Sequence, residues 1–167
     1  MHTGPFFITC ASALVDNASK RRNTMSDIAA LEARFDLAFP RREKYIDEDG
    51  RRELRRSISR LDDASVKKFL PALLVDILKA PQLGWSSEDD MVIYFLDGLK
   101  SSETDQEERR FLRKLADRTF KSFTKEQASV ILEWLNAVAD CEFIKICEED
   151  YRSAVLYWER VRSETRQ

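Results

Sequence analysis

The sequence predicts an all-α single domain, a bundle of about six or seven helices packed around a proline-kinked central helix at residues 63–79. Apolar side chains recur at helical spacing along most of the chain after residue 25. Glycine and proline occur four times each among 167 residues, whereas a sheet with many tight hairpins usually needs more of both. A chain of this length holds one domain with a substantial core.

The first 24 residues differ in pattern from the rest of the chain. They contain an apolar run, FFITCASALV from Phe6 to Val15, which is too short to span a bilayer as a helix. No Lys or Arg precedes this run, although a secretory signal needs a basic start. We expect residues 1–24 to be an extension to a single helical domain at 25–167. Three explanations stay open: Met25 is the natural start, the extension is disordered or loosely packed, or it is a signal.

Two helices are predicted before the central one. Residues 26–38 place apolar side chains along one side, and Pro40 ends the helix. That side carries Ile28, Leu31, Phe35 and either Leu37 or Ala38. Residues 51–61 set apolar side chains on one face and arginines on the other. The apolar residues are Leu54, Ile58 and Leu61, and the arginines are Arg51, Arg52, Arg55 and Arg56.

The central helix is predicted over Asp62 to Lys79, DDASVKKFLPALLVDILK. Its apolar stripe fits no strand period and consists of Val66, Phe69, Leu70, Leu73, Leu74, Ile77 and Leu78. Asp62 or Asp63 is expected to cap the start, because a short carboxylate accepts from the free N–H groups of the first turn. Pro71 removes one helical hydrogen bond. We therefore expect a kink near residues 67–70 that wraps the helix around the core rather than shaping a groove.

Two further helices are predicted between the central helix and residue 124. Ser86 or Ser87 caps the first of them, which continues through Met91–Leu99. That run is apolar enough for a strand, but its acidic, capped entry favours a buried helix. The next helix carries Phe111, Leu112, Leu115 and Phe120.

The last two predicted helices contain most of the large aromatic residues. Thr124 and Gln127 match a capping box for a helix that carries Ala128, Ile131, Leu132, Leu135 and Val138. After a break near residues 140–142, the final helix carries Tyr151, Ala154, Val155, Trp158 and Val161. We expect Trp134, Tyr157 and Trp158 to pack in the core rather than to form a ligand platform.

Composition excludes several kinds of site. His2 is the only histidine and lies in the extension, which excludes Ser-His-Asp and Cys-His catalysis and histidine-ligated zinc. Four scattered glycines cannot build a phosphate-binding loop. A calcium loop with Gly50 in sixth position would put Tyr45 first and Arg56 twelfth, where acids are needed. The cysteines are odd in number and lack CxxC spacing, which indicates a reducing compartment: Cys10, Cys141 and Cys147.

Charged clusters are the remaining candidates for a site. The densest acidic clusters are Glu88, Asp89, Asp90 and Glu148, Glu149, Asp150. Both precede or begin predicted helices, so capping is favoured over catalysis. The arginine face of residues 51–60 is balanced by nearby acids and is favoured as a solvated face over a nucleic-acid surface. We take the two acidic clusters, with Arg52 and Arg55, as candidate partner-binding residues, and we expect no catalytic, cofactor-binding or metal-binding residues.

Three segments, one of them in the central helix, form a pattern that is similar to one found in a known family. The pattern consists of three segments: the Phe69-Leu70-Pro71-Ala72 run, the Leu31–Phe35 segment that leads to Pro40, and Phe123-Thr124 followed by Gln127 and Leu132-Glu133-Trp134-Leu135. It resembles a family of small uncharacterised bacterial proteins, a domain of unknown function. The resemblance covers about residues 28–139. The chain departs from the family in a shorter segment between Tyr45 and Leu61 and in its added final helix. The resemblance implies a helical fold and a bacterial origin, and it brings no functional residues.

These observations favour a non-enzymatic, cytoplasmic protein-binding module over an enzyme. The most concrete form is a bacterial immunity or inhibitor protein that neutralises a toxin, because the chain is small, carries a net charge of −2 and has no catalytic motif. The expected partner is another protein, for example a basic toxin, and not nucleic acid or a membrane. One alternative is an enzyme that uses carboxylates or a metal. Another is a nucleic-acid binder that acts through the Arg51–Arg60 helix.

Overall fold

The computed structural model describes residues 25–57, 61–79, 92–93, 95–96, 114, 117–141, 144 and 147–165, without the side chains of 55–57. Five helices have defined bounds within these residues: α1 (Met25–Ala38), α2 (Glu48–Ser57), α3 (Asp63–Lys79), α4 (Lys125–Val138) and α5 (Glu148–Glu164). Residues 92–93, 95–96 and 117–121 are helical as well, and no strand occurs in the described part. The predicted all-α fold is confirmed.

Helix α1 settles the choice that the sequence left open at its last turn. Leu31, Phe35 and Ala38 are buried, whereas Leu37 is 80% exposed. Ala38 continues the i, i+4, i+7 stripe and Leu37 lies off it. The predicted helix over 26–38 is confirmed, and an apolar side chain is left facing solvent at its end.

Helix α2 begins earlier than the sequence predicted. The expected start was Arg51, but the helix begins at Glu48, because the Asp47 side chain accepts the Gly50 N–H at 2.7 Å and caps the first turn. Glu48 and Asp49 then lie in the first turn, where negative charge is favourable. The segment that resembled a calcium loop is therefore a capped helix start.

Helix α3 packs against α1, α2 and α4. Asp62 caps it, accepting the Ser65 N–H at 2.8 Å. All predicted stripe residues are buried except Phe69, which is half-buried; Pro71, Ala72 and Val75 are buried as well, so neighbouring helices cover most of this helix. The helix continues through Pro71, and the kink stays a prediction. Three residues before Pro71, the Lys68 carbonyl accepts the Glu43 N–H at 2.9 Å, so the chain before α2 is bonded directly to α3.

Helix α4 begins with the predicted capping box. Thr124 accepts the Gln127 N–H at 3.2 Å, and the Gln127 side chain accepts the Thr124 N–H at 3.0 Å. Gln127 also donates its side-chain N–H to the Ala38 carbonyl at 3.0 Å. One residue therefore caps α4 and binds the end of α1.

Aromatic side chains connect α4 to α3, and α5 to the helical residues around Phe95 and Phe120. Trp134 of α4 and Trp158 of α5 are fully buried, and their indole N–H groups donate to the Leu74 and Leu96 carbonyls at 2.7 and 3.0 Å. Phe120 packs against Phe95, Phe123, Tyr157 and Trp158, with ring centroids 4.7–5.8 Å apart. The expectation that Trp134, Tyr157 and Trp158 are core residues is confirmed.

Some predictions fall outside the described residues. They concern the extension 1–24, the capping serines 86 and 87, the arginine face from residue 55 onward, and the predicted helix residues 111, 112 and 115. At 92, 93, 95 and 96 the backbone is helical and the side chains are buried, which agrees with the predicted buried helix. No helix among the described residues has the length and apolar character needed to cross a membrane.

Candidate functional site

The last turn of α1 and the chain that follows it present exposed apolar side chains together with an arginine. Leu37 and Tyr45 are 80% and 79% exposed, and Pro40 and Arg41 between them are exposed as well. We call the side chains of Leu37, Pro40, Arg41 and Tyr45 the connection surface. Large apolar side chains that face water at several positions of one short segment are typical of a surface that another molecule covers.

The backbone under the connection surface is held in place. The Phe39 N–H donates to the Phe35 carbonyl at 2.8 Å, and the Arg42 N–H donates to the Phe39 carbonyl at 3.0 Å. The Phe39 ring is buried and packs on Phe35 and Phe123, with centroids 6.1 and 5.7 Å away. The exposed side chains are therefore carried on an anchored turn.

Arg42 anchors the same segment by charge. Its side chain is only 1% exposed. It donates to the Asp36 carboxylate at 2.6 Å, to the Glu32 carboxylate at 3.3 Å and to the Glu43 carbonyl at 3.2 Å. A buried guanidinium needs such partners, because an unpaired buried charge is very costly. This arginine therefore fixes the connection to the surface of α1.

The carboxylates around Arg42 stay ionised. The pKa of Glu32 is lowered, chiefly by a hydrogen bond from Lys79 and further by Arg42. The pKa of Asp36 is lowered, chiefly by Lys44 and further by Arg42. Because a general acid needs a raised pKa, these two groups have the properties of structural anions.

A groove lies beside the connection surface, between the end of α1 and the first turns of α3 and α4. It has a volume of about 310 Å³. We call it the basic groove, and its lining residues are Phe39, Pro40, Arg41, Ala64, Lys67, Lys68 and Gln127. Pro40 and Arg41 belong to both features, so the two form one continuous surface.

The cations of the basic groove are partly positioned by their neighbours. Lys67 Nζ donates to the Ser122 carbonyl at 2.6 Å and lies 5.5 Å from the Phe123 ring centroid. Lys68 Nζ lies 3.3 Å from a Glu43 carboxylate oxygen. The pKa of Glu43 is lowered, first by the Lys44 backbone N–H and then by Lys68. Among the described residues, Arg41, Lys67 and Lys68 thus outnumber the one acid, Glu43, that pairs with them.

The predicted site residues lie elsewhere. Glu148, Glu149 and Asp150 lie in the first turn of α5, and Glu148 pairs with Arg152 on its own helix. Arg52 lies 3.9 Å from both Glu48 and Asp49 on α2. The Arg55 side chain and the cluster Glu88, Asp89, Asp90 lie outside the described residues. The structure does not assemble these candidates into one site.

Metal and thiol chemistry find no support among the described residues. No group of three or more His, Cys, Asp or Glu side chains in this part of the chain could hold a metal ion. Cys147 is buried. The pKa of Cys141 is raised by burial and by the charge of Asp140, which lowers the fraction of reactive thiolate.

Sequence reasoning missed both the connection surface and the basic groove. One signal was present, because Leu37 is an apolar residue off the helical stripe of α1. The sequence analysis gave Lys67 and Lys68 no role in a site, and their place beside Arg41 depends on how α1 and α3 pack.

No family model, no curated protein and no solved structure matches this chain. The resemblance to small uncharacterised bacterial proteins therefore stays a prediction.

Proposed function

We propose that this chain is a non-enzymatic protein-binding module, and more specifically an immunity or inhibitor protein that neutralises a bacterial toxin in the cytoplasm. The connection surface is the observation that carries the first part. The described residues expose four large apolar side chains strongly, and two of them, Leu37 and Tyr45, lie on this one segment. The more specific form is supported by the small size of the chain, its slight negative charge and its family resemblance.

The composition of the connection surface fits a protein interface. Tyrosine and arginine are enriched among the residues that dominate binding energy, and Arg41 and Tyr45 lie on either side of the buried Arg42. A single exposed apolar residue needs no explanation. Leu37, Pro40 and Tyr45 are three exposed side chains of largely apolar character within residues 37–45, next to the exposed Arg41, and interfaces combine apolar and polar side chains in this way.

The anchoring of the segment supports the same proposal. Phe39 and Arg42 fix the turn from below, so its exposed side chains lose little backbone freedom when a partner binds. A preorganised surface binds more tightly because less ordering entropy is lost on association.

The alternatives lack comparable support in the described residues. Four carboxyl groups there have lowered pKa values through cations or backbone N–H groups: Glu32, Asp36, Glu43 and Asp62. Each stabilises a helix or a connection. For the nucleic-acid alternative, Arg51 pairs with Asp76 of α3 at 3.1 Å and Arg52 lies near two acids, so neither arginine is left solely for phosphate contacts.

Removal of the apolar part of the connection surface is expected to abolish partner capture. The tagged full chain would be expressed in its native host and purified with whatever binds it. We expect a stoichiometric partner with wild type, and at least about tenfold weaker binding after Leu37→Ser with Tyr45→Ser, since interface hot spots often contribute 2 kcal/mol or more.

Leu156→Ser is the matched control, because Leu156 is an equally apolar side chain, 67% exposed, on α5. Thermal melts would confirm that all variants are folded. A solitary wild-type monomer, or a partner retained equally by all three proteins, would contradict the proposal.

A further inference from the structure

The basic groove points to the chemistry of the partner. Three of its lining side chains are cationic, and Phe39, Pro40 and Ala64 are its apolar lining residues. We propose that the groove binds a short acidic segment of the partner protein, with a carboxylate between Arg41, Lys67 and Lys68 and an apolar side chain against Phe39, Pro40 and Ala64. This inference rests on the proposed protein-binding function.

The charge balance favours an anion. The lining residues include Arg41, Lys67 and Lys68 and no acid, and the nearby Glu43 carboxylate pairs with Lys68. The groove also lies at the start of α3 and of α4, where helix dipoles add partial positive charge. An incoming carboxylate would therefore meet an excess of positive charge.

The cations keep donors for a ligand. An ammonium group has three N–H donors and a guanidinium has five. Lys67 uses one donor on the Ser122 carbonyl, and that contact holds the side chain at the groove. Arg41 is exposed and lies on the anchored turn. A carboxylate could thus form charge-assisted hydrogen bonds without first displacing the existing contacts.

The size of the groove limits what fits. About 310 Å³ is at the lower end of ligand pockets, which span roughly 300–1,000 Å³. Such a space holds one or two side chains and is too small for the face of a whole helix. The expected occupant is therefore a short extended segment in which an acidic residue neighbours an apolar one.

A segment that binds the basic groove is acidic, whereas the toxin expected from the sequence is basic. A basic partner would pair with the acidic first turn of α5, where Glu148, Glu149 and Asp150 lie. Salt should weaken either kind of contact, so variants of each surface are needed to separate the two.

The test uses the full chain labelled with ¹⁵N and two blocked pentapeptides at low ionic strength. One peptide has four glutamates around a central phenylalanine, and the other has four lysines around the same phenylalanine. We expect the glutamate peptide alone to shift the amide signals of Phe39, Arg41, Ala64, Lys67 and Lys68. Lys67→Gln with Lys68→Gln should weaken its binding about tenfold, whereas the control Arg152→Gln with Arg162→Gln, on exposed positions of α5, should not.

Failure of this inference differs from failure of the proposed function. Equal shifts with both peptides, no shift with the glutamate peptide, or unchanged binding by the Lys67 and Lys68 variant would overturn the acidic-segment inference. A partner protein that depends on Leu37 and Tyr45 but not on Lys67 and Lys68 would also overturn it, and would leave the proposed function standing. If no partner needs Leu37 and Tyr45, the proposed function fails and this inference fails with it.

Discussion

Replacing Trp134 by alanine is expected to lower the free energy of unfolding by roughly 3–5 kcal/mol, the range for buried Phe or Trp to alanine. The Trp134 side chain is fully buried in α4. Its indole N–H donates to the Leu74 carbonyl of α3 at 2.7 Å. The substitution would leave a large cavity between these two helices and would remove the hydrogen bond that joins them.

Urea unfolding followed by circular dichroism would measure this effect. Trp134→Phe is the informative second variant, because it keeps most of the apolar volume and removes the N–H donor, and we expect it to cost roughly 1–2 kcal/mol. Leu156→Ala, at an exposed position, should change stability by less than about 0.5 kcal/mol. A loss below about 1 kcal/mol for Trp134→Ala would show that α4 does not pack on α3 as described.

Arg42→Ala is expected to cost roughly 3 kcal/mol, whereas Arg41→Ala should cost less than about 0.5 kcal/mol. The two arginines are adjacent in sequence, but Arg42 is buried and paired with Asp36 and Glu32, while Arg41 is exposed. Removing the Arg42 guanidinium leaves two partly buried carboxylates short of a partner. Equal losses for the two variants would contradict this account of the connection.

The pH dependence of stability gives the Arg42 variant a second readout. Because the pKa values of Glu32 and Asp36 are lowered in the folded protein, their stabilisation is full above their ordinary values of 4.5 and 3.8 and is lost as pH falls through the lowered values. Wild type should therefore lose stability as pH falls below about 4. Arg42→Ala should lose less stability over the same pH range. The difference from wild type should be partial, because Lys79 and Lys44 lower the pKa values of Glu32 and Asp36 more than Arg42 does. If stability fell equally with pH in wild type and in Arg42→Ala, the ion pairs of Arg42 with Glu32 and Asp36 would be contradicted.

Local rules were enough to predict much of the fold. The capping box at Thr124 and the cap at Asp62 depend only on residues within one turn. The stripe of α1 likewise follows from spacing within one helix, and it placed Leu31 and Phe35 correctly in the core. The start of α2 was predicted too late because the capping role of Asp47 was not recognised in a segment compared with a calcium loop.

The candidate site could not be predicted in the same way. In the sequence Arg41 and Arg42 are equivalent neighbours, and only the packing of α1 against the following chain buries one and exposes the other. The basic groove joins residues from three separate segments, so it exists only after α1, α3 and α4 have packed. The acidic first turn of α5 was predicted correctly as a helix start. Because acids are favourable in the first turn of any helix, these charges did not indicate a site.

Site-specific photocrosslinking in the native host tests the connection surface most directly. A benzoylphenylalanine would replace either Tyr45 or Leu156, both exposed in the free chain. Because a crosslinker reacts only with what touches it, we expect a covalent adduct with one partner protein from position 45 and none from position 156. An adduct from position 156 alone, or from neither position, would contradict the claim that this surface binds a protein.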